Sequence, residues 1–300
     1  MWTWLRPWCR RSSLVVAALG LMLAAPSASG AASESPLQQG LATTSLTSHE
    51  LHQLSNINVE RVDPWCWKVK GVCWHSPTSA KKSAILFGDS HVAMWLPAVA
   101  AQLRKYQVQV WWHPSCPVAS VTPWSPNDQA FNQSCVKWRN DTISALVKAR
   151  PQLIVMAERT SGLFVQPGQL IEQRVLTAAL GQSFTQLAKS GARLALVGDT
   201  PSFINDPVAC LALHRTSARS CAIDRSSLPV AQQSLTNAEA AASLAHRVTF
   251  IDPRPWVCSK TLCPALLGKN VAYSDQDHFT ASAVSELSSR FGAEIAPALR

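Results

Sequence analysis

The sequence predicts an α/β fold: a three-layer, doubly wound and mostly parallel sheet of five strands, with helices on both faces. Two observations carry this. Five short apolar runs, 83–88, 108–112, 152–157, 192–198 and 248–251, recur beyond a polar lead-in, and stretches of helical spacing separate them. The runs are continuous rather than alternating, as strands covered on both faces are.

SAILFG (83–88) reads as the first strand, ended by a glycine that permits a tight turn. A helix is expected from His91 to Lys105. VQVWW (108–112) is the second strand and a helix over 136–149 follows. QLIVMA (152–157) is the third strand, then a helix over 170–190. ARLALVG (192–198) is the fourth, then a helix over 229–246. The run over 248–251 is the fifth, and TASAVSELSSRFGAEI (280–295) closes the chain as a helix. In a parallel sheet all strand C-termini share one rim, and such folds hold their sites there.

Composition narrows the function. With 47% hydrophobic and 15% charged residues in 300, the chain is globular rather than disordered. Formal net charge is +9, which suits an anionic surface, yet no Lys/Arg run exceeds two residues, so nucleic-acid binding is unsupported.

Residues 1–30 read as an export signal. Arg6, Arg10 and Arg11 form a basic start, Ser13 to Ala25 is apolar, and Ala28-Ser29-Gly30 is an acceptable cleavage site before Ala31. The apolar core is shorter than the roughly 20 residues of a spanning helix, which favours cleavage over a retained anchor. Residues 31–82 form a polar lead-in, expected as a strap on the edge of a domain over 83–300. The strap ends in the knot PWCWKVKGVCWHSP, which holds Cys66 and Cys73.

Cysteine usage points to the same compartment. Beyond Cys9 the chain has eight, an even number that suggests disulfides in an exported protein. They fall into four local couples, and local closure costs least entropy: Cys66 with Cys73, Cys116 with Cys135, Cys210 with Cys221, and Cys258 with Cys263. Zinc, the rival, wants two C-x2-4-C pairs or one with partnered histidines; Cys258 and Cys263 alone have that spacing, and no second pair or histidine couple accompanies them. No metal and no cofactor is expected.

The chemistry should gather at the rim. Ser90, in Gly88-Asp89-Ser90-His91, follows the first strand, where a hydroxyl can act as a nucleophile if a base serves it. About 185 residues later comes Asp275-Gln276-Asp277-His278, before the last helix. An Asp three residues ahead of a His can orient the imidazole through one ring nitrogen and leave the other for Ser90. Asp277 is the alternative orienter, with poorer expected reach. His91 reads as a satisfied structural histidine.

These segments resemble the SGNH (GDSL-like) hydrolase superfamily. More narrowly they resemble the SGNH domain of acyltransferase-3 proteins that O-acetylate envelope glycans. The likeness rests on ILFGDSHVAMWLP (85–97), Cys116-Pro117, LVGDTPSF (196–203) with its following Cys couple, WVCSKTLCP (256–264) and VAYSDQDHFT (271–280). It implies a flavodoxin-like sheet with Ser90 as nucleophile, His278 as base and Asp275 as orienter. The superfamily's Gly and Asn oxyanion donors have no counterpart in Met156-Ala157-Glu158-Arg159-Thr160. The Ser90 backbone N–H is then the first oxyanion donor, and Arg159 is either a second or an ion-pair partner of Glu158.

The resemblance implies an exported serine O-acyltransferase, or an esterase, acting on envelope carbohydrate. Its partners would be a glycan acceptor or an acylated glycan. No stretch beyond residue 30 reaches transmembrane length, so a transferase would need a separate membrane acyltransferase or a soluble donor to supply the acyl group. The alternative reading is a non-catalytic envelope-binding or assembly module on the same scaffold. Tryptophans, twelve in all, suit sugar stacking but mostly fill cores.

Overall fold

Five parallel strands make the central sheet: β1 (Lys82–Gly88), β2 (Tyr106–Trp112), β3 (Leu153–Ala157), β4 (Arg193–Val197) and β5 (Thr249–Ile251). Their spatial order is β2-β1-β3-β4-β5. The order reverses between β1 and β3, and in such sheets ligands bind in the crevice beyond the strand ends at that point. The structure, a computed structural model, describes residues 34–61, 80–125 and 128–300. The export signal over 1–30 and the tryptophans Trp65, Trp67 and Trp74 lie outside the described residues.

Strand residues divide between two cores with the period of two that a pleat imposes. Ala84 and Leu86 enter one core with Val108, Val110, Val155 and Val197. Ile85 and Phe87 enter the other with Ile154, Met156 and Leu196. The first core is closed by α3 (Ser90–Met94), α4 (Leu96–Gln102), α10 (Ala281–Glu286) and α11 (Ser288–Leu299). The second is closed by α5 (Gln129–Ala149), α6 (Gln173–Leu187) and α8 (Val230–Ala245). Trp95 anchors the first core, fully buried against Trp256, Phe279 and Phe291.

Several boundaries differ from the sequence expectation. The helix expected over 91–105 is divided at Trp95, because Pro97 has no N–H to donate back to Ala93. The helix expected over 136–149 begins seven residues sooner, where the Asp128 carboxylate caps it by accepting the Phe131 N–H. The last helix divides at Leu287, which keeps right-handed helical geometry, and then runs on to Leu299.

The lead-in carries two helices that its polar composition does not announce. α1 (Pro36–Ala42) and α2 (Ser48–Ser55) each open with a capping box, Ser35 with Gln38 and Thr47 with Glu50. Glu34–Arg300 forms one compact unit that includes them. Gln53 accepts the Val271 N–H (2.9 Å), and Glu60 accepts both the N–H and the hydroxyl of Ser282 at the start of α10 (3.0 Å each). The strap thereby grips both flanks of the 272–280 loop. A small core of Leu211, Ala265, Leu266 and Val271, with Leu46, Leu54 and Ile57, seals this contact.

Disulfides join Cys116 to Cys135, Cys210 to Cys221 and Cys258 to Cys263, three of the four couples read from sequence proximity. The first ties the loop after β2 to α5. The fourth expected couple differs in standing: Cys66 and Cys73 both lie outside the described residues, so a bridge between Cys66 and Cys73 stays an expectation of the sequence. Among the described residues no helix is long and apolar enough to cross a membrane.

Candidate active site

Gly88 ends β1 against the Ala157 carbonyl at the end of β3, and a Cβ there would collide with that oxygen. This close approach brings the two strand-end loops together at the crevice. Asp89 then joins them: its carboxylate accepts the His91 N–H (2.8 Å) on its own side and the Arg159 N–H (2.8 Å) across the gap. Ser90, first residue of α3, has a backbone N–H with no intrahelical acceptor.

The 272–280 loop returns to the same rim. Thr200 donates its hydroxyl to the Asp277 carbonyl (2.7 Å), and the Phe203 N–H binds the Gln276 carbonyl (2.8 Å). Asp275 Oδ1 accepts the backbone N–H groups of Asp277 (3.1 Å) and His278 (2.9 Å), which turns the chain back on itself. His278 Nδ1 consequently faces Asp275 Oδ2 at 2.9 Å, and Nε2 lies 2.7 Å from Ser90 Oγ. The three residues singled out from sequence, Ser90, Asp275 and His278, are thus in one hydrogen-bonded row.

Asp277 corrects one expectation. Its reach is not poor: Oδ1 lies 3.1 Å from His278 Nδ1, off the hydrogen-bond line that Asp275 occupies. Oδ2 pairs with Arg159 Nε at 2.7 Å. Arg159 is therefore not the ion-pair partner of Glu158. Its guanidinium is half-exposed, passes over Gly162 and borders the cleft beside Ser90. Glu158 is fully buried on the other side of the backbone and accepts the Ala119 N–H (2.8 Å).

The electrostatics follow from burial and partners. Burial alone pulls the His278 pKa down, but the carboxylates of Asp275 and Asp277 outweigh it and push it up to about 9. Asp275 and Asp277 are both held below the usual carboxylate range, since their bonding to His278 overcomes their own desolvation. Arg61, at the end of the strap, stands 3.6 Å from Asp275 Oδ2 and donates to the Ser274 carbonyl (3.2 Å). Burial pushes Glu158 up to about 8, against the opposing pull of the Ala119 N–H.

His91, Asp277 and His278 bring ligand-type atoms within 4.8 Å of one another. Their atoms are already committed, His278 to Ser90 and Asp275, and Asp277 to Arg159, which makes the group an ion-pair cluster. Sequence reasoning missed Asp89, Asp199 and the Asp277–Arg159 pair. The Asp89 and Asp199 signal was available in the matching Gly-Asp-hydroxyl triplets at 88–90 and 198–200.

The row opens into a cleft of about 410 Å³ bordered by Pro114, Trp124, Phe131, Arg159, Leu163 and Phe164. Among the described tryptophans Trp124 alone lines it.

The sequence matches the family described as SGNH domain (fused to AT3 domains) over residues 58–293, and the chain belongs to that family. No curated protein matches it by sequence. Among solved structures it is similar to the periplasmic domain of a Salmonella Paratyphi A lipopolysaccharide acetyltransferase, with 13% identity and a TM-score of 0.63. That match covers 82% of this chain and 99% of the other. An acetyl-xylooligosaccharide esterase from Geobacillus matches at 13% identity and a TM-score of 0.42, over 72% and 94% of the two chains. The fold is that of an SGNH hydrolase.

Glu158 gives a stability test. Its folded-state pKa lies above its unfolded value, so the folded protein holds the proton longer, and stability falls as pH rises from about 4.5 toward about 8. Glu158→Gln removes that titration. Thermal melts should show the variant gaining on the native protein between pH 5 and pH 9; parallel melting curves across that range would reject the assignment.

Proposed function

We propose that this chain is an exported serine-dependent O-acyl transferase or esterase acting on cell-envelope carbohydrate, with an acyl-enzyme on Ser90. The observation that carries the reading is the 2.7 Å contact of Ser90 Oγ with His278 Nε2, backed by Asp275 on Nδ1. The three disulfides and the basic, apolar start of the sequence support export.

Ser90 Oγ attacks the ester carbonyl while its proton passes to His278 Nε2. The bond to the leaving alkoxide then breaks, and the alkoxide takes that proton, leaving the acyl group on Ser90. A sugar hydroxyl, or water, gives its proton to His278 and attacks the acyl-serine. The serine leaves and recovers the proton. Asp275 holds the imidazole in the tautomer that presents Nε2 as acceptor and stabilises the imidazolium once it forms.

The negative oxygen of each tetrahedral intermediate takes the Ser90 backbone N–H. Arg159 supplies the second donor: its Nε is fixed on Asp277, and the fork borders the cleft beside Ser90. Trp124 offers a half-buried ring face to a sugar. If transfer prevails over hydrolysis, the acyl group comes from a membrane acyltransferase or from a soluble donor.

Purified protein should release acetate from an activated acetyl ester, and intact-mass spectra should carry an acetyl adduct on Ser90. Ser90→Ala should lose about ten-thousand-fold in kcat/KM and the adduct. Undiminished turnover in that variant would remove Ser90 as the nucleophile, and no turnover in the native protein would leave the assembly-module reading in its place. A sugar acceptor converted to its acetyl ester marks a transferase.

Arg159→Ala should lower kcat by about a hundredfold. Arg159→Lys should recover little, because the ammonium lacks the planar fork. An effect confined to KM would remove Arg159 from the oxyanion site.

The pH profile has a defined sign. His278 must be neutral to accept the serine proton, and with its pKa near 9 it is mostly protonated at neutrality. The kcat/KM should therefore climb with pH and level off near 9. A plateau already reached near pH 6.5 would contradict the carboxylate effect on His278.

A further inference from the structure

His91 is a fully buried histidine whose two ring nitrogens face carboxylates. Nδ1 lies 3.1 Å from Asp199 Oδ1 and Nε2 lies 3.8 Å from Asp277 Oδ1, both off the hydrogen-bond line. Asp89, two residues before it in the chain, accepts its backbone N–H. Its ring centroid is 4.8 Å from that of His278. Asp199 is itself locked: Oδ2 accepts the N–H groups of Thr160 (3.0 Å) and Ser161 (2.8 Å), and Oδ1 accepts that of Thr200 (2.8 Å). A carboxylate so held is kept ionised by its N–H donors, and, fully buried and facing the ring, it favours a cation opposite.

We infer that His91 is a permanent imidazolium, a positioning residue that neutralises Asp199, shares Asp277 with His278 and Arg159, and sets the acid limb of catalysis by opposing a second positive charge on His278. The inference rests on the proposed function only for its kinetic readout.

The surrounding charges agree on the sign. Asp275 and Asp277 on its own loop favour a protonated His278, and Arg159 and Arg61 each take part of that carboxylate charge. His91 opposes the proton directly. Around His91 stand Asp89, Asp199 and Asp277, with His278 against its ring and Arg159 beyond Asp277. Glu239 behind Asp199 has its carboxyl pushed well above the usual range by burial and by Asp199. Three acids around one imidazole hold it charged although burial disfavours the charge. Removing it leaves Asp277 less compensated and His278 harder to deprotonate.

His91→Gln keeps a polar side chain without the charge. The acid limb of kcat/KM should move to higher pH by about one unit, so that activity at pH 7 falls about tenfold and the deficit narrows toward pH 10. A merely structural role would lower the melting temperature and leave the limb in place. Nitrogen-resolved NMR of the imidazoles gives a readout that needs no turnover. In the native protein the His91 ring should stay doubly protonated through pH 8, and the His278 titration should shift upward in His91→Gln. A neutral His91 ring at pH 7, or a His278 titration that stays put or moves down, would overturn the inference, including where the variant does not fold. Native protein that shows the NMR signature but no turnover would sink the enzyme reading and spare this one.

Discussion

Asp277 is reached from three directions: by Arg159 from the loop after β3, by His278 from its own loop, and by His91 from the start of α3. The carboxylate is almost wholly buried, and an unpaired charge there would cost several kcal/mol. That cost vanishes only when the three strand-end segments come together in one arrangement. Burial of a single acid thus fixes the relative positions of elements that lie more than a hundred residues apart in sequence. Ser90 and His278 inherit their spacing from this arrangement.

The same logic runs along the whole rim. Asp89 stitches the loops after β1 and β3 through two backbone N–H groups, and Asp199 does the same for the loops after β3 and β4. Gly88 permits the closest approach of backbone to backbone at the switch point. Each acid uses local N–H donors that a strand end leaves unpaired, so the rim is built from the groups the sheet itself cannot satisfy.

The sheet is legible in the sequence because buried parallel strands leave continuous apolar runs, and all five runs overlap the observed strands closely. The row of Ser90, His278 and Asp275 is legible because GDS and DxxH sit at strand and helix boundaries. What sequence conceals is partnership. Arg159 beside Glu158 reads as a neighbouring ion pair, yet adjacent residues near a strand end point to opposite sides, which sends Glu158 inward and Arg159 to Asp277. Chain spacing discounts Asp277, although the Asx turn at Asp275 folds the loop so tightly that both acids meet one ring. The strap helices are hidden by their polar composition, while their capping boxes stand in plain view at Ser35 and Thr47.

The grip of the strap on the 272–280 loop has a practical side. The family match opens at residue 58, beyond Gln53 and beyond every residue of α1 and α2. A fragment trimmed to that boundary keeps Arg61 and Glu60 but severs them from the helices that seat them, and it bares Leu266 and Val271 to water. The useful unit for recombinant work therefore begins upstream of Ser35, and protease nicking between Ala42 and Ser48 should be read as damage to the rim that seats Ser90 and His278 rather than as harmless trimming of a tail.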